Sequence, residues 1–479
     1  MVVDGKYDRS TGTARAGGSD REQEPDVDVS LDRLGGHPVV GAVGPGTSTH
    51  NGSVRRELRR RGVIASAAAA ALIPFGHLEV PAASSTSAWT SKVPLAVVVN
   101  KNLEILRSGS VRTVAADLTI DRLIWSPDAR WLMVEEFSSL TGDQTWVVRA
   151  DGTYFHEVDR ASGQVAAWGA ADTIIIGAPS ANGATSSIGQ FDPATGTHTL
   201  LTTVRGDVQS IAATSTSIAI ASSVFAGSNG FARGSLLLFR LGARRLTTVA
   251  QSQVDAYGSL SFSPNGADLV YDLDPDNSSS LAQDGVEFEL TRVGTPGAHA
   301  LGLGLEVPSW QAWSPSSSQL DITLGGSRAA WSTSKHIDRC STVEFHCSNL
   351  TTVRGTVAFE PSISPTSFAY VTATGLGGSN GFGSGSPGSS LAAISAWVDT
   401  FRIWVAQGDR PAQELTTLGT ASDPEWIDGG PGLLFVRNGE LWTLASTPSK
   451  PVEITAPFLP ESDQNYGTFD WSGSYALAP

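Results

Sequence analysis

From residue 93 to the C-terminus, apolar residues come in short runs broken by Ser, Pro, Asp, Asn and Gly. Runs of about four to eight residues between turn formers predict strands, not helices. One unit recurs: an apolar strand ending on a large residue, a tight turn, then a second apolar strand. The copies are LIWSPDARWLMV (123–134), AAWGAADTIIIG (166–177), SIAATSTSIAIA (210–221), LSFSPNGADLVY (260–271), QAWSPSSSQLDI (311–322), PSISPTSFAYVT (361–372), PEWIDGGPGLLFV (424–436) and FDWSGSYALA (469–478). Their anchors are Trp125, Trp168, Ala212, Phe262, Trp313, Ile363, Trp426 and Trp471.

A repeat near 45–50 residues is the sequence mark of a propeller. Each hairpin is followed by a second pair of strands, such as TWVVRADGTYFHEV (145–158). Four antiparallel strands make a blade that buries its faces only against neighbours in a ring. The predicted fold is all-β: a propeller of eight four-stranded blades, with seven as the alternative because the 210–221 unit is weak. Residues 95–115 parallel 433–455, the last three strands of a blade. The C-terminal segment then supplies a first strand, and the termini close the ring in one blade.

W-S-P-D at 125–128 and F-S-P-N-G at 262–266 resemble the WD40-like (PD40) repeats of the TolB-type β-propeller family, with weaker copies W-S-P (313–315) and I-S-P (363–365). The resemblance covers residues 93–479 and implies the propeller fold. The second and third units lack Ser-Pro, and no separate α/β domain fits before residue 93.

Residues 1–53 lack apolar periodicity and read as a disordered extension, or as untranslated if Val54 marks the start. Residues 54–92 hold an arginine cluster (Arg55, Arg56, Arg59, Arg60, Arg61), an apolar stretch over 62–76 and small residues beyond. That is the order of a secretory signal, and it predicts an extracytoplasmic protein: periplasmic, envelope-bound or secreted. A retained 62–76 would instead make it membrane-anchored. A single propeller domain fills 93–479. Residues 1–82 hold ten basic and ten acidic residues, so the whole net charge of −15 belongs to 83–479. Such a surface excludes nucleic acid as a partner and favours basic ones.

Candidate binding residues fall in two groups. Acidic residues recur near the start of first strands: Asp121, Asp207, Asp255, Glu306, Glu360, Asp423 and Asp463. First strands line a propeller's channel, so these acids would gather at one mouth. The longest insertions, 223–234, 272–286 and 373–397, lie between second and third strands and share one face. Two of them repeat Gly-Ser-Asn-Gly-Phe, which puts Phe231 and Phe382 forward as partner anchors. Asp272, Asp274 and Asp276 alternate as in calcium loops, but Asn277 replaces the glycine those loops require. No other cofactor is indicated. Cys340 and Cys347 read as a local disulfide, with His336 and His346 beside them. Ser379 sits in a formal G-x-S-x-G, but more glycine follows where a helix is needed.

No catalytic constellation emerges. The expected function is an exported, non-catalytic, monomeric scaffold that binds a protein or peptide. Two readings stay open beside it: an enzyme at the channel mouth, such as a carbohydrate lyase or hydrolase, and a membrane-tethered extracytoplasmic sensor domain.

Overall fold

In the computed structural model the described residues run from 89 to 479, except 117–118, 139–141, 160–164, 226–229, 276, 278–284, 328, 352–354, 377–390, 409, 416–418, 428, 446–450 and 455–470. They form eight four-stranded antiparallel sheets. Blades I to VII take residues 120–159, 165–205, 207–252, 255–304, 311–349, 356–414 and 421–453 in turn. Blade VIII joins Leu95–Val99, Asn102–Arg107 and Ser110–Ala115 to the C-terminal strand Tyr475–Leu477. The weak third unit is a complete blade, so the count is eight. Among the described residues one α-helix, Leu391–Val398, interrupts the all-β pattern at the end of the 373–397 insertion.

In five blades the turn after the anchor is built on a hydroxyl. The backbone N–H groups of Trp131, Asp268, Gln319 and Ser367 donate to Oγ of Ser126, Ser263, Ser314 and Ser364 at 3.0 Å. In blade III, which lacks Ser-Pro, Thr214 accepts from Ser217 N–H at 3.1 Å. The hydroxyl is therefore the shared element of the turn, and proline is dispensable. Gly266 closes the blade IV turn at φ +70°, where a side chain would be strained.

The anchors also join the blades. The indole N–H of Trp168 donates to the Ile124 carbonyl (2.9 Å), that of Trp313 to Ser261 Oγ (3.0 Å) and that of Trp426 to the Ser362 carbonyl (3.2 Å). Each contact falls on the residue just before the preceding blade's anchor. Trp125 makes the same bond to the Ala476 carbonyl at 2.9 Å. Leu477, not Trp471, thus holds the anchor place in blade VIII. Tyr475–Leu477 is the first strand there, paired with Leu95–Val97. The expected hairpin FDW–YALA is corrected accordingly: Trp471 precedes a turn and lies outside the strand. The motif search was misled because Trp-Ser imitates the anchor step.

First strands of neighbouring blades pack on one another, which places them around the axis. Fourth strands such as Thr197–Arg205 and Arg245–Ser252 are largely exposed and form the rim. First strands begin, second strands end and third strands begin on the same face. The three long insertions and the starts of the first strands therefore share it.

Candidate functional site

Five first strands carry a register shift, at Asp121, Gln209, Ser259–Leu260, Glu360–Pro361 and Asp423–Pro424. Bulges of this kind re-aim side chains. In blades VI and VII the bulged residue is an acid followed by proline, with φ of 54° at Glu360 and 52° at Asp423. Positive φ at a non-glycine residue is uncommon and is held here by the flanking ladders.

The two bulges meet. The backbone N–H of Asp423 donates to Glu360 Oε2 at 2.7 Å. Glu360 is 3% exposed, whereas Asp423 and Glu425 are half-buried. The Tyr475 hydroxyl, on the C-terminal strand, donates to Asp423 Oδ2 at 2.5 Å. Three blades, VI, VII and VIII, thus deliver three carboxyl groups and a phenol to one part of the channel.

Electrostatics follow from this crowding. Burial, and then the Asp423 charge, push the Glu360 carboxyl up to about 8. The same causes hold Glu425 well above the usual carboxylate range. Burial and the neighbouring acids raise the Tyr475 phenol well above its ordinary value. A neutral Glu360 near pH 7 is the expected response to like charges sharing a poorly solvated site.

Of the six acids singled out in the described part of the chain, the structure brings Glu360 and Asp423 together. Asp121, Asp207, Asp255 and Glu306 are spread over blades I, III, IV and the approach to blade V, and are not among the charges acting on the cluster. Asp121 is exposed; Asp255 is half-buried and accepts from Ser252 Oγ at 2.9 Å. Asp207 is half-buried, with Oδ1 buried and without a hydrogen-bond partner. Glu306 is half-buried in the loop before the turn Pro308–Trp310. Asp463 and Phe382 lie outside the described residues, as does Ser379. Phe231 is half-buried against Phe225, ring centroids 6.4 Å apart.

Glu425 and Tyr475 were missed. The signal for Glu425 was the D-P-E step, read only for its first acid. Tyr475 was hidden by the misplaced Trp471 anchor.

Asp272 and Asp274 are not loop residues. Both are fully buried within the strand Asp268–Pro275, paired with Gly258 and Ala256. Asp276 lies outside the described residues, and among those described no group of three His, Cys, Asp or Glu could hold a metal ion. Cys340 and Cys347 are directly opposed across two strands and form a disulfide. His336 turns to the Ser334 carbonyl (2.7 Å) and to Asp338 (3.4 Å).

A second feature of this face is the insertion at 325–335. Lys335, 2% exposed, donates from Nζ to the carbonyls of Gly325, Gly326 (3.1 Å) and Ser327 (2.8 Å). Trp331 beside it meets Trp397 of the helix edge-on at 5.6 Å, and Trp397 leads through Phe401 (4.7 Å) to Phe359. Phe359 lies in the first strand of blade VI, directly before Glu360 in sequence.

No protein-family model and no curated protein sequence matches this chain. Solved structures similar to it include the tricorn protease, at 11% identity and a TM-score of 0.42, covering 74% of this chain and 38% of that one. TolB from Acinetobacter baumannii has 12% identity and a TM-score of 0.34, covering 70% and 67%. The β-propeller domain of the Trilobed protease from Pyrococcus furiosus has 8% identity and a TM-score of 0.41, covering 71% and 98%. The chain thus spans well under half the length of the tricorn protease. These are likenesses of architecture and carry nothing about activity. Among the described residues no helix is long and apolar enough to cross a membrane.

Proposed function

We propose that this protein is an extracytoplasmic propeller scaffold that receives a Lys- or Arg-bearing segment of a partner protein at the channel mouth. The observation that carries this reading is the meeting of Glu360, Asp423 and Glu425 at the bulges of two neighbouring first strands. Carboxyl groups held above their ordinary range are poised to ionise when a cation arrives, and the gain is largest where water is scarce. The net charge of −15 supports long-range attraction of the same partner. The disulfide favours an oxidising compartment. Calorimetric titration with short oligolysine and oligoglutamate peptides tests the reading. Oligolysine is expected to bind saturably and oligoglutamate not at all, and Glu360→Gln with Asp423→Asn should weaken the binding at least tenfold. Equal binding by wild type and variant would refute it.

A second reading has one observation in its favour. A buried carboxyl that stays protonated near pH 7, as Glu360 does, is what a general acid requires. In that reading the mouth is the site of a lyase or hydrolase acting on carbohydrate. Turnover of acidic or neutral oligosaccharides, lost in Glu360→Gln, would favour it over the scaffold.

A further inference from the structure

The acidic character of the chain is broken in one place. Between residues 193 and 254 there are five arginines (205, 233, 240, 244 and 245) and a single acid, Asp207. Two of the arginines, Arg205 and Arg233, flank a cleft of about 210 Å³ between blades II and III. The strand ends that line it belong to the insertion face. Both side chains are exposed, and neither guanidinium meets a carboxylate among the described residues. In a protein with this net charge, two arginines without acidic partners on one cleft are out of pattern.

The floor of the cleft is unusual in a second, independent way. Ser222 and Ser235 face each other across adjacent strands and are 2% and 7% exposed. Both line the cleft, and neither hydroxyl has a hydrogen-bond partner among the described residues. Both hydroxyls open toward the cavity and are free to donate to a guest with acceptor atoms. Val224 and Leu237 add an apolar wall. Arginine pairs bind oxyanions through charge-assisted, forked hydrogen bonds.

We propose that this cleft is a binding site for a small organic anion. Its oxyanion group lies between Arg205 and Arg233 and accepts from Ser222 and Ser235, and its apolar part rests on Val224 and Leu237. The site is separate from the carboxyl cluster in blades VI to VIII and does not depend on the function assigned there.

The test is calorimetric titration of the intact protein with three probes: benzoate, benzamide and inorganic sulfate. Benzoate carries both features, benzamide lacks the charge, and sulfate lacks the apolar part. Benzoate is expected to bind saturably, and the other two at least tenfold more weakly. Arg205→Gln and Arg233→Gln, both at exposed positions, should each cost about tenfold in benzoate affinity. Ser222→Ala with Ser235→Ala, which removes the hydroxyls without changing the backbone, should weaken benzoate several-fold. Glu360→Gln should leave it unchanged. Absence of saturable benzoate binding to the wild type would overturn the proposal. So would a double variant Arg205→Gln, Arg233→Gln that melts like the wild type and binds benzoate within twofold of it.

Discussion

The Tyr475 hydroxyl donates to the Asp423 carboxylate at 2.5 Å across two blades. Tyr475 belongs to the strand that completes blade VIII, and Asp423 to a bulge in blade VII. Ring closure and assembly of the carboxyl cluster are therefore one structural event. The chain's last strand both hides the open edge of Leu95–Val99 and supplies the phenol that steadies the acids.

The Glu360 carboxyl titrates at about 8 in the folded chain, against 4.5 as its ordinary value. Between these values the native state keeps a proton that the unfolded state has lost. Stability is therefore greatest below pH 4.5 on this account and falls as pH rises to 8. Glutamine keeps the acceptor for the Asp423 N–H and carries no charge. Glu360→Gln should leave stability near pH 4 almost unchanged and raise it above pH 8, on the order of a few kcal/mol. Denaturant unfolding at the two pH values measures the difference.

Removing residues 474–479 deletes the first strand of blade VIII and uncovers a five-residue apolar edge, Leu95–Val99. Open edges of this kind pair with other chains. The truncated protein should self-associate in sedimentation analysis. Trp125→Phe, which removes the indole bond to Ala476 and part of the buried ring, should stay monomeric and lose about 1–3 kcal/mol.

Much of this architecture is legible in the chain. The turn hydroxyls recur in five blades and the indole bonds between blades in four, because the blades share one hairpin geometry. Period, blade count, closure and the Cys340–Cys347 pair follow from that. The site is less legible. Glu360 and Asp423 differ locally from Asp207 and Asp255 only in the proline that follows each, and that step alone does not announce a meeting of two blades. What separates them is a bulge at positive φ in adjacent blades, a property of the ladder register. Tyr475 joins the cluster from a strand that Trp471 disguised. Asp272 and Asp274 show the opposite error, since alternation that reads as a calcium loop is here the two-residue period of a buried strand.

The disulfide spans a separation of seven residues across strands that are already paired. A loop this short restricts the unfolded chain modestly, by about 2 kcal/mol. Cys340→Ser with Cys347→Ser should fold, keep the β-sheet circular dichroism of the wild type and unfold at correspondingly lower denaturant. Loss of the whole propeller on reduction would show that blade V depends on the bridge.

Lys335 holds the 325–335 insertion by three carbonyls. Gly325 accepts this arrangement at φ +119°, where a Cβ would lie 2.2 Å from the Ser334 carbonyl oxygen. Lys335→Met leaves the carbonyls unanswered and should cost about 1–3 kcal/mol. Limited proteolysis should then cut within 325–335 before any other part of blade V.

The central claim is that the channel mouth binds cations through carboxyl groups that are protonated when it is vacant. Calorimetry of oligolysine binding near pH 7, repeated in buffers of different ionisation enthalpy, counts the protons released. The account predicts release of about one to two protons per peptide bound, because Glu360 and Glu425 are both held protonated at that pH, and about one proton fewer in Glu360→Gln. Binding without proton release in the wild type, or equal release by the variant, would contradict it.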